Sequence, residues 1–160
     1  MLRTSAVVVS FLLSGCATAP WTQESIVNSK VFPESRERVW ARILRTTPRE
    51  NLSITGADIV NGVVSAELSM TARDGSGDIH GDWAVCGLNG LLQHPLSQHA
   101  DIKIVVAPDP AGTSVTINTQ FSELRQDKRS RVNRRALCTS TGVLEGELLD
   151  GYWASSHPVR

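Results

Sequence analysis

The sequence predicts an α+β fold: a two-layer sandwich whose antiparallel sheet of about five or six strands grips a C-terminal helix, with one more helix near the N-terminus. Three observations predict it. Asn61-Gly62 stands between two β-branched runs, the strongest short hairpin signal. Ile102, Ile104 and Val106 alternate with polar residues, turn at Pro108-Asp109-Pro110-Ala111-Gly112, and are answered by Val115, Ile117, Thr119 and Phe121. Two segments carry apolar stripes at helical spacing, Val39, Trp40, Ile43 and Leu44, then Val143, Leu144, Leu148, Leu149 and Tyr152.

Taken in order, Ser25 to Phe32 is rich in β-branched residues and predicts a first strand. Pro33 opens a helix as a favoured first-turn residue, and Glu34 and Glu37 lie near the positive end of its dipole. Arg36, Arg38, Arg42 and Arg45 occupy its polar side, the usual composition of a solvated face, and Pro48 stops it. Leu52 to Val60 and Val63 to Met70 form the Asn-Gly hairpin, with Val64, Ala66, Leu68 and Met70 on the buried face. Residues 71–78 read as a loop, and Ile79, Gly81, Trp83 and Val85 as a third alternating strand that delivers Cys86. Residues 87–100, with Gly87, Gly90, Pro95 and two histidines, read as a long loop or broken helical turn. Residues 125–135 hold Lys128 and five arginines against Asp127 alone, and read as a basic loop. Cys138 then falls just before the last helix, capped by Ser140 or Thr141, and residues 154–160 read as a tail.

The N-terminus has the grammar of an export signal. Arg3 is the one cation of residues 1–5, Ala6 to Leu13 is apolar except for Ser10, and small residues lead to Cys16. That run is too short to span a bilayer as a finished helix. Leu13-Ser14-Gly15-Cys16 resembles the lipobox of bacterial lipoproteins. The resemblance implies cleavage after Gly15, a diacylglyceryl thioether on Cys16, and palmitate or a similar acyl chain on its freed amine. Two or more chains hold a protein stably on a membrane, each buried methylene contributing about 0.8 kcal/mol. By the sorting rule of the same family, Ala17 in place of an aspartate implies the outer membrane, with the domain facing the periplasm. The expected organisation is a signal peptide over 1–15, a lipidated tether over 16–24, one domain over 25–153 and the tail. Trp21 in the tether could sit at the membrane interface or pack on the domain. Val31 to Met70 and the final helix are similar in pattern to helix-grip modules such as those of the barrel-assembly lipoprotein C subunit, a likeness of fold alone.

Composition bounds the function. Removal of residues 1–15 from 160 leaves 145, enough for one domain with its own core. Lys+Arg and Asp+Glu stand at 16 each, and loss of Arg3 leaves 15 against 16, which argues against whole-surface binding of nucleic acid. If lipid takes one of the 3 cysteines, Cys86 and Cys138 remain as a pair in an oxidising compartment. A disulfide between them is expected, because the export signal and the even remainder point the same way; two free thiols are the alternative.

No set of catalytic residues stands out. There is no Gly-x-Ser-x-Gly elbow, no serine three residues before Lys30, Lys103 or Lys128, no His-Glu-x-x-His, no Cys-x-x-Cys and no phosphate-binding glycine loop. Asp74, Ser76 and Asp78 begin like a calcium loop, with Asp82 nearby, but Ile79 and Val85 stand where its glycine and glutamate belong. Cys86, His94, His99 and Cys138 could ligate zinc, or Cys86 could pair with a histidine as a nucleophile, yet the spacing matches no common pattern. Neither a metal nor another cofactor is expected. Lys128, Arg129, Arg131, Arg134 and Arg135 are the candidate contact for an anionic surface, against a solvated loop. The function expected is that of a non-enzymatic module: held at the membrane through acyl chains on Cys16, it binds a protein partner in an envelope assembly. The alternative is a carrier enclosing a lipid or other hydrophobic ligand between sheet and helix.

Overall fold

The computed structural model describes residues 26–71, 82–87 and 93–154. Among them the chain forms β1 (Ser29–Phe32), α1 (Arg36–Thr46) with a 3-10 turn (Thr47–Glu50), β2 (Ser53–Asp58), β3 (Val63–Thr71), β4 (Ala84–Val85), β5 (Gln93–Asp109), β6 (Gly112–Asp127), β7 (Asn133–Ser140) and α2 (Val143–Ala154). The fold is α+β, with an antiparallel open sheet of seven strands, more than the five or six expected. The order is β2-β3-β5-β6-β7-β4, and β1 pairs with the part of β6 that β7 leaves uncovered.

The sheet is built on the β5–β6 hairpin. Its strands run 17 and 16 residues and stay paired from Gln93↔Asp127 down to Asp109↔Gly112. Pro110 and Ala111 make the turn, and Asp109 Oδ1 accepts the Ala111 N–H at 2.9 Å. Gly112, at φ +142°, lies so close to Phe32 that a Cβ would stand 2.1 Å from its carbonyl oxygen. Directly paired residues share a face, so Ile102↔Thr119, Ile104↔Ile117 and Val106↔Val115 line the inner side, joined by Val64 and Ala66 of β3. The opposite side carries Ser65, Glu67, Asp101, Lys103, Asn118 and Gln120.

Both helices put their apolar stripes into the same buried cluster as the inner face. Val39, Trp40 and Ile43 come from α1, and Leu144, Leu148, Leu149 and Tyr152 from α2. Helix α1 touches β5, β6 and α2, and α2 touches β6 and β1. Each such Val, Leu or Ile contributes about 1.5–3 kcal/mol on leaving water. Val143, expected in the stripe of α2, instead faces solvent. Helix α1 starts at Arg36 after Ser35, later than the Pro33 start expected; it ends at Thr46, and Pro48 is the second residue of the 3-10 turn that follows.

Two of the α1 arginines are structural. Arg36 donates to the carbonyls of Ile59 (2.6 Å) and Val60 (3.1 Å), holding the tip of the β2–β3 hairpin. Buried Arg42 pairs with Glu34 and lies over the Phe32 ring, 6.0 Å from its centroid. That hairpin closes through a four-residue loop from Ile59 to Gly62, because β2 ends at Asp58. The Asp58 carboxylate accepts the N–H groups of Val60 and Asn61, and the bonds from Asn61 lower its pKa most. Gly62, at φ +67°, sits where a Cβ would meet the Val106 carbonyl oxygen at 2.2 Å.

Two larger departures concern segments expected as loops. The first half of β5 occupies 93–100, where a loop or helical turn was expected. Pro95 is accommodated because the ladder is irregular between Pro95 and Ser97, so the missing donor falls at a bulge. The basic segment is likewise not a loop: it is the end of β6, a turn over 128–132 and the start of β7.

The only tyrosine of the chain, Tyr152, is fully buried and exchanges a 2.9 Å hydrogen bond with the Thr47 hydroxyl, joining α2 to the turn after α1. Burial pushes its pKa up to about 12. The stability this gives is complete below the ordinary tyrosine pKa of about 10 and is lost as pH rises towards the folded value. Absorbance titration of tyrosinate should therefore show a midpoint near 12, or coincide with unfolding; ordinary titration near 10 would contradict the burial. Tyr152→Phe leaves the Thr47 hydroxyl unpaired and should cost about 1–3 kcal/mol in urea unfolding.

Candidate functional site

Three polar constellations emerge from this fold, and the first is internal. Cys86, which follows β4, and Cys138, within β7, are joined by a disulfide across a separation of 52 residues. Cys138 lies shortly before α2 as expected, but as a strand residue on the inner face of β7, opposite Phe121. The bridge therefore ties the segment 82–87 to the edge of the sheet and does not itself clamp a helix. The helix is reached from the same segment by other bonds. Thr141 donates its N–H to Trp83 O at 3.0 Å and its hydroxyl to Asp82 O, and Trp83 Nε1 donates to Glu147 of α2 at 3.1 Å.

Beside the bridge, buried Arg125 and Glu123 form an ion pair at 2.6 Å. They follow one another at i and i+2 on β6, so both point to the inner face. Arg125 also donates to the carbonyl oxygens of Cys86 and Gly87. Gln98, opposite Glu123 on β5, donates to the glutamate at 3.3 Å and to Cys86 Sγ at 3.7 Å. The cluster gives the bridged segment a polar seat inside the sheet. Arg125, counted in the basic segment on sequence, is thereby withdrawn from the surface.

The second constellation lies on the outer face. Ser69 pairs directly with His99, and Asp101 follows two residues along the same strand. Ser69 Oγ lies 2.9 Å from His99 Nδ1, and His99 Nε2 lies 3.2 Å from Asp101 Oδ1. Sequence reading missed this set because only the β3–β5 register brings Ser69 to His99; the available signal was the i, i+2 spacing of His99 and Asp101. The order of groups is that of a proton relay. However, Asp101 is two-thirds exposed, and the backbone amides around it belong to the ladders rather than converging on a developing oxyanion. Next to it Thr55, Ser65, Asp101, Lys103, Asn118 and Gln120 line a shallow depression of about 350 Å³. Ala66, Ile102 and Thr119 complete the lining, which is therefore apolar as well as polar.

The third is the β6–β7 hairpin end. Lys128, Arg129, Arg131, Arg134 and Arg135 are all exposed there. No direct ion pair among the described residues uses any of the five. Asp127 turns its carboxylate into the loop, accepting the N–H groups of Arg129 (2.9 Å) and Ser130 (2.8 Å) and the Ser130 hydroxyl. These bonds, the Ser130 amide first, lower its pKa.

The structure does not assemble the zinc or cysteine–histidine sets. The two cysteines bind each other, His99 faces the outer side, and His94 lies at the start of β5. Among the described residues no three His, Cys, Asp or Glu side chains are placed to hold a metal ion, and no helix is long and apolar enough to cross a membrane. Cys16 with the signal and tether, Trp21, the calcium-like Asp74, Ser76 and Asp78, the strand residues Ile79 and Gly81, and the tail from Ser155 lie outside the described residues. No protein-family model matches the chain, and no curated protein matches it.

Removing one partner of the buried pair should cost more than removing both. Arg125→Met leaves Glu123 buried and uncompensated, an expected loss of about 3–5 kcal/mol in urea unfolding. Arg125→Met combined with Glu123→Leu should recover part of that loss; equal losses in the single and double variants would contradict the coupling. Reduction of the disulfide, or Cys86→Ala with Cys138→Ala, should cost about 2–4 kcal/mol and lower Tm with the fold retained.

Proposed function

We propose that the chain is a bacterial envelope lipoprotein: a small helix-grip domain, with the sheet gripping α2, anchored through acyl chains on Cys16 to the periplasmic face of the outer membrane. There it acts as a non-enzymatic module that binds a protein partner. The observation that carries this reading is the Cys86–Cys138 disulfide. With 3 cysteines in the chain, that bridge leaves Cys16 as the remaining thiol, at the position where the lipobox resemblance requires one. A bridge also suits an oxidising compartment, which the export signal would reach.

The partner-binding part draws support from the sheet edge. Leu137 on β7 and Val85 on β4 are 70% and 60% exposed, and Arg135 follows the same outward parity as Leu137. Exposed apolar side chains with an arginine at their margin have the make-up of a contact surface. The carrier alternative has less behind it, because Trp40, Phe121, Tyr152, Ile104 and Ile117 fill the space between the helices and the inner face as one packed cluster.

The test is lipidation. Cys16→Ser should abolish incorporation of labelled fatty acid and processing as a lipoprotein. A Cys16→Ser protein that is processed and fractionates with membranes like the parent would show the anchoring claim to be wrong. For the partner, affinity capture of the acylated protein in detergent should lose its specific protein on Leu137→Glu, with the fold retained by circular dichroism.

A further inference from the structure

We propose that the tip of the β6–β7 hairpin docks end-on into a layer of anionic phospholipid headgroups. The proposal rests on the anchored reading above and assigns a second membrane contact to the domain itself.

Charge comes first. Five exposed cations against the single carboxylate of Asp127 leave a net +4 on residues 127–135. The cations are not spread along one face. Lys128, Arg129 and Arg131 belong to the turn, while Arg134 has inner-face parity and Arg135 outer-face parity on β7. Such a fan meets a surface with its end, since laying either face flat would turn part of it away. Asp127 cannot fold back over the arginines without giving up the turn bonds it makes to Arg129 and Ser130. Val132, half exposed in the turn, adds an apolar group at the same point. Arg125, held below by Glu123 and the Cys86 carbonyl, fixes the base of the hairpin beside the disulfide.

The path of the chain supplies the second observation. Strand β1 runs antiparallel to β6, with Ser29 opposite Thr116 and the Asn28 carbonyl accepting Ile117 N–H at 2.8 Å. Traced towards the N-terminus, the chain therefore advances along β6 in the direction of the basic tip. Ile26 lies against Gly142, where an added Cβ would stand 2.7 Å from its Cγ2. By the same register that is about the level of Thr119, some 26 Å of strand short of Asp127 at about 3.3 Å per residue. From Cys16 to Ile26 is ten residues (26 − 16), a reach of about 33–36 Å when extended. An acyl anchor on Cys16 and the basic tip can thus occupy one plane. The phosphate layer of lipid headgroups complements the tip in charge and lies within this reach of the anchor.

The experiment uses the full acylated protein reconstituted into vesicles of phosphatidylglycerol with phosphatidylethanolamine, or of phosphatidylcholine alone. Amide hydrogen exchange is followed over residues 128–132. Each cation near an anionic surface is worth about fivefold in affinity, so exchange at the tip should be about tenfold or more slower on the anionic vesicles. High salt should remove the difference, as should Arg129→Gln, Arg131→Gln, Arg134→Gln and Arg135→Gln together, while amides of β3 and β5 stay unchanged. Equal exchange on the two vesicle types, whether slow or fast, would overturn the proposal. Flotation of the same samples separates the two readings. Protein that carries no acyl label but floats with anionic vesicles in a salt-sensitive way would sink the anchor and keep the hairpin contact. Acylated protein that floats with both and shows no tip difference would do the reverse.

Discussion

The register of the β5–β6 hairpin is the constraint on which the rest of the structure depends. A shift of one residue would turn Ile102, Ile104, Val106, Val115 and Ile117 outwards and bring Asp101, Lys103 and Asn118 against the helices. The tight Asp109–Gly112 turn holds it at one end, where Phe32 of β1 closes over Gly112. The other strands take their places from this pair. Strand β3 reads its face from β5, while β1 and β7 share the far edge of β6 between them. Apolar rows set in this way present a continuous inner surface, and both helices are held by covering it.

Towards the other end of the hairpin the inner face changes character. Beyond Phe121 the inward positions of β6 are Glu123 and Arg125, facing Gln98 and the Cys86–Cys138 bridge. Burying two charges is tolerated because each is hydrogen-bonded as well as paired, the arginine by the Cys86 and Gly87 carbonyls and the carboxylate by Gln98. The polar cluster gives the short segment 82–87 a defined seat that two residues of β4 pairing could not supply alone. The same segment bonds Thr141 and Glu147, so the edge of the sheet and the start of α2 are held by one piece of chain. The basic turn projects past this stiffened base, which keeps its cations pointing away from the core.

Arginine illustrates how little residue type alone decides. Of the four on α1, Arg36 holds a hairpin tip through two carbonyls and Arg42 is buried against Glu34 and Phe32. On β6–β7, Arg125 is internal while Arg134, its direct cross-strand neighbour, is exposed. A long side chain can reach a partner or water from nearly the same backbone position, and the partner is supplied by a different part of the chain.

The α+β class, the two apolar helices and the hairpins around Asn61-Gly62 and Pro110-Ala111 were legible in the sequence. Each is written in local periodicity and turn chemistry, which need no distant partner. The Cys86–Cys138 disulfide was legible too, from the even number of cysteines left beside an export signal. Tertiary structure alone decided the rest. Gln93 to Gln98 is a strand because β6 pairs with it, although its own residues, Pro95 among them, look like a loop. Asn133 to Ser140 is a strand for the same reason, its alternation of Ala136, Cys138 and Ser140 hidden behind two arginines and opposed to β6. Ser69 became a neighbour of His99 only through register, and Cys138 took its place inside a strand by pairing with β6. In every one of these cases the deciding hydrogen bonds or contacts join residues far apart in the chain, where local pattern carries no information.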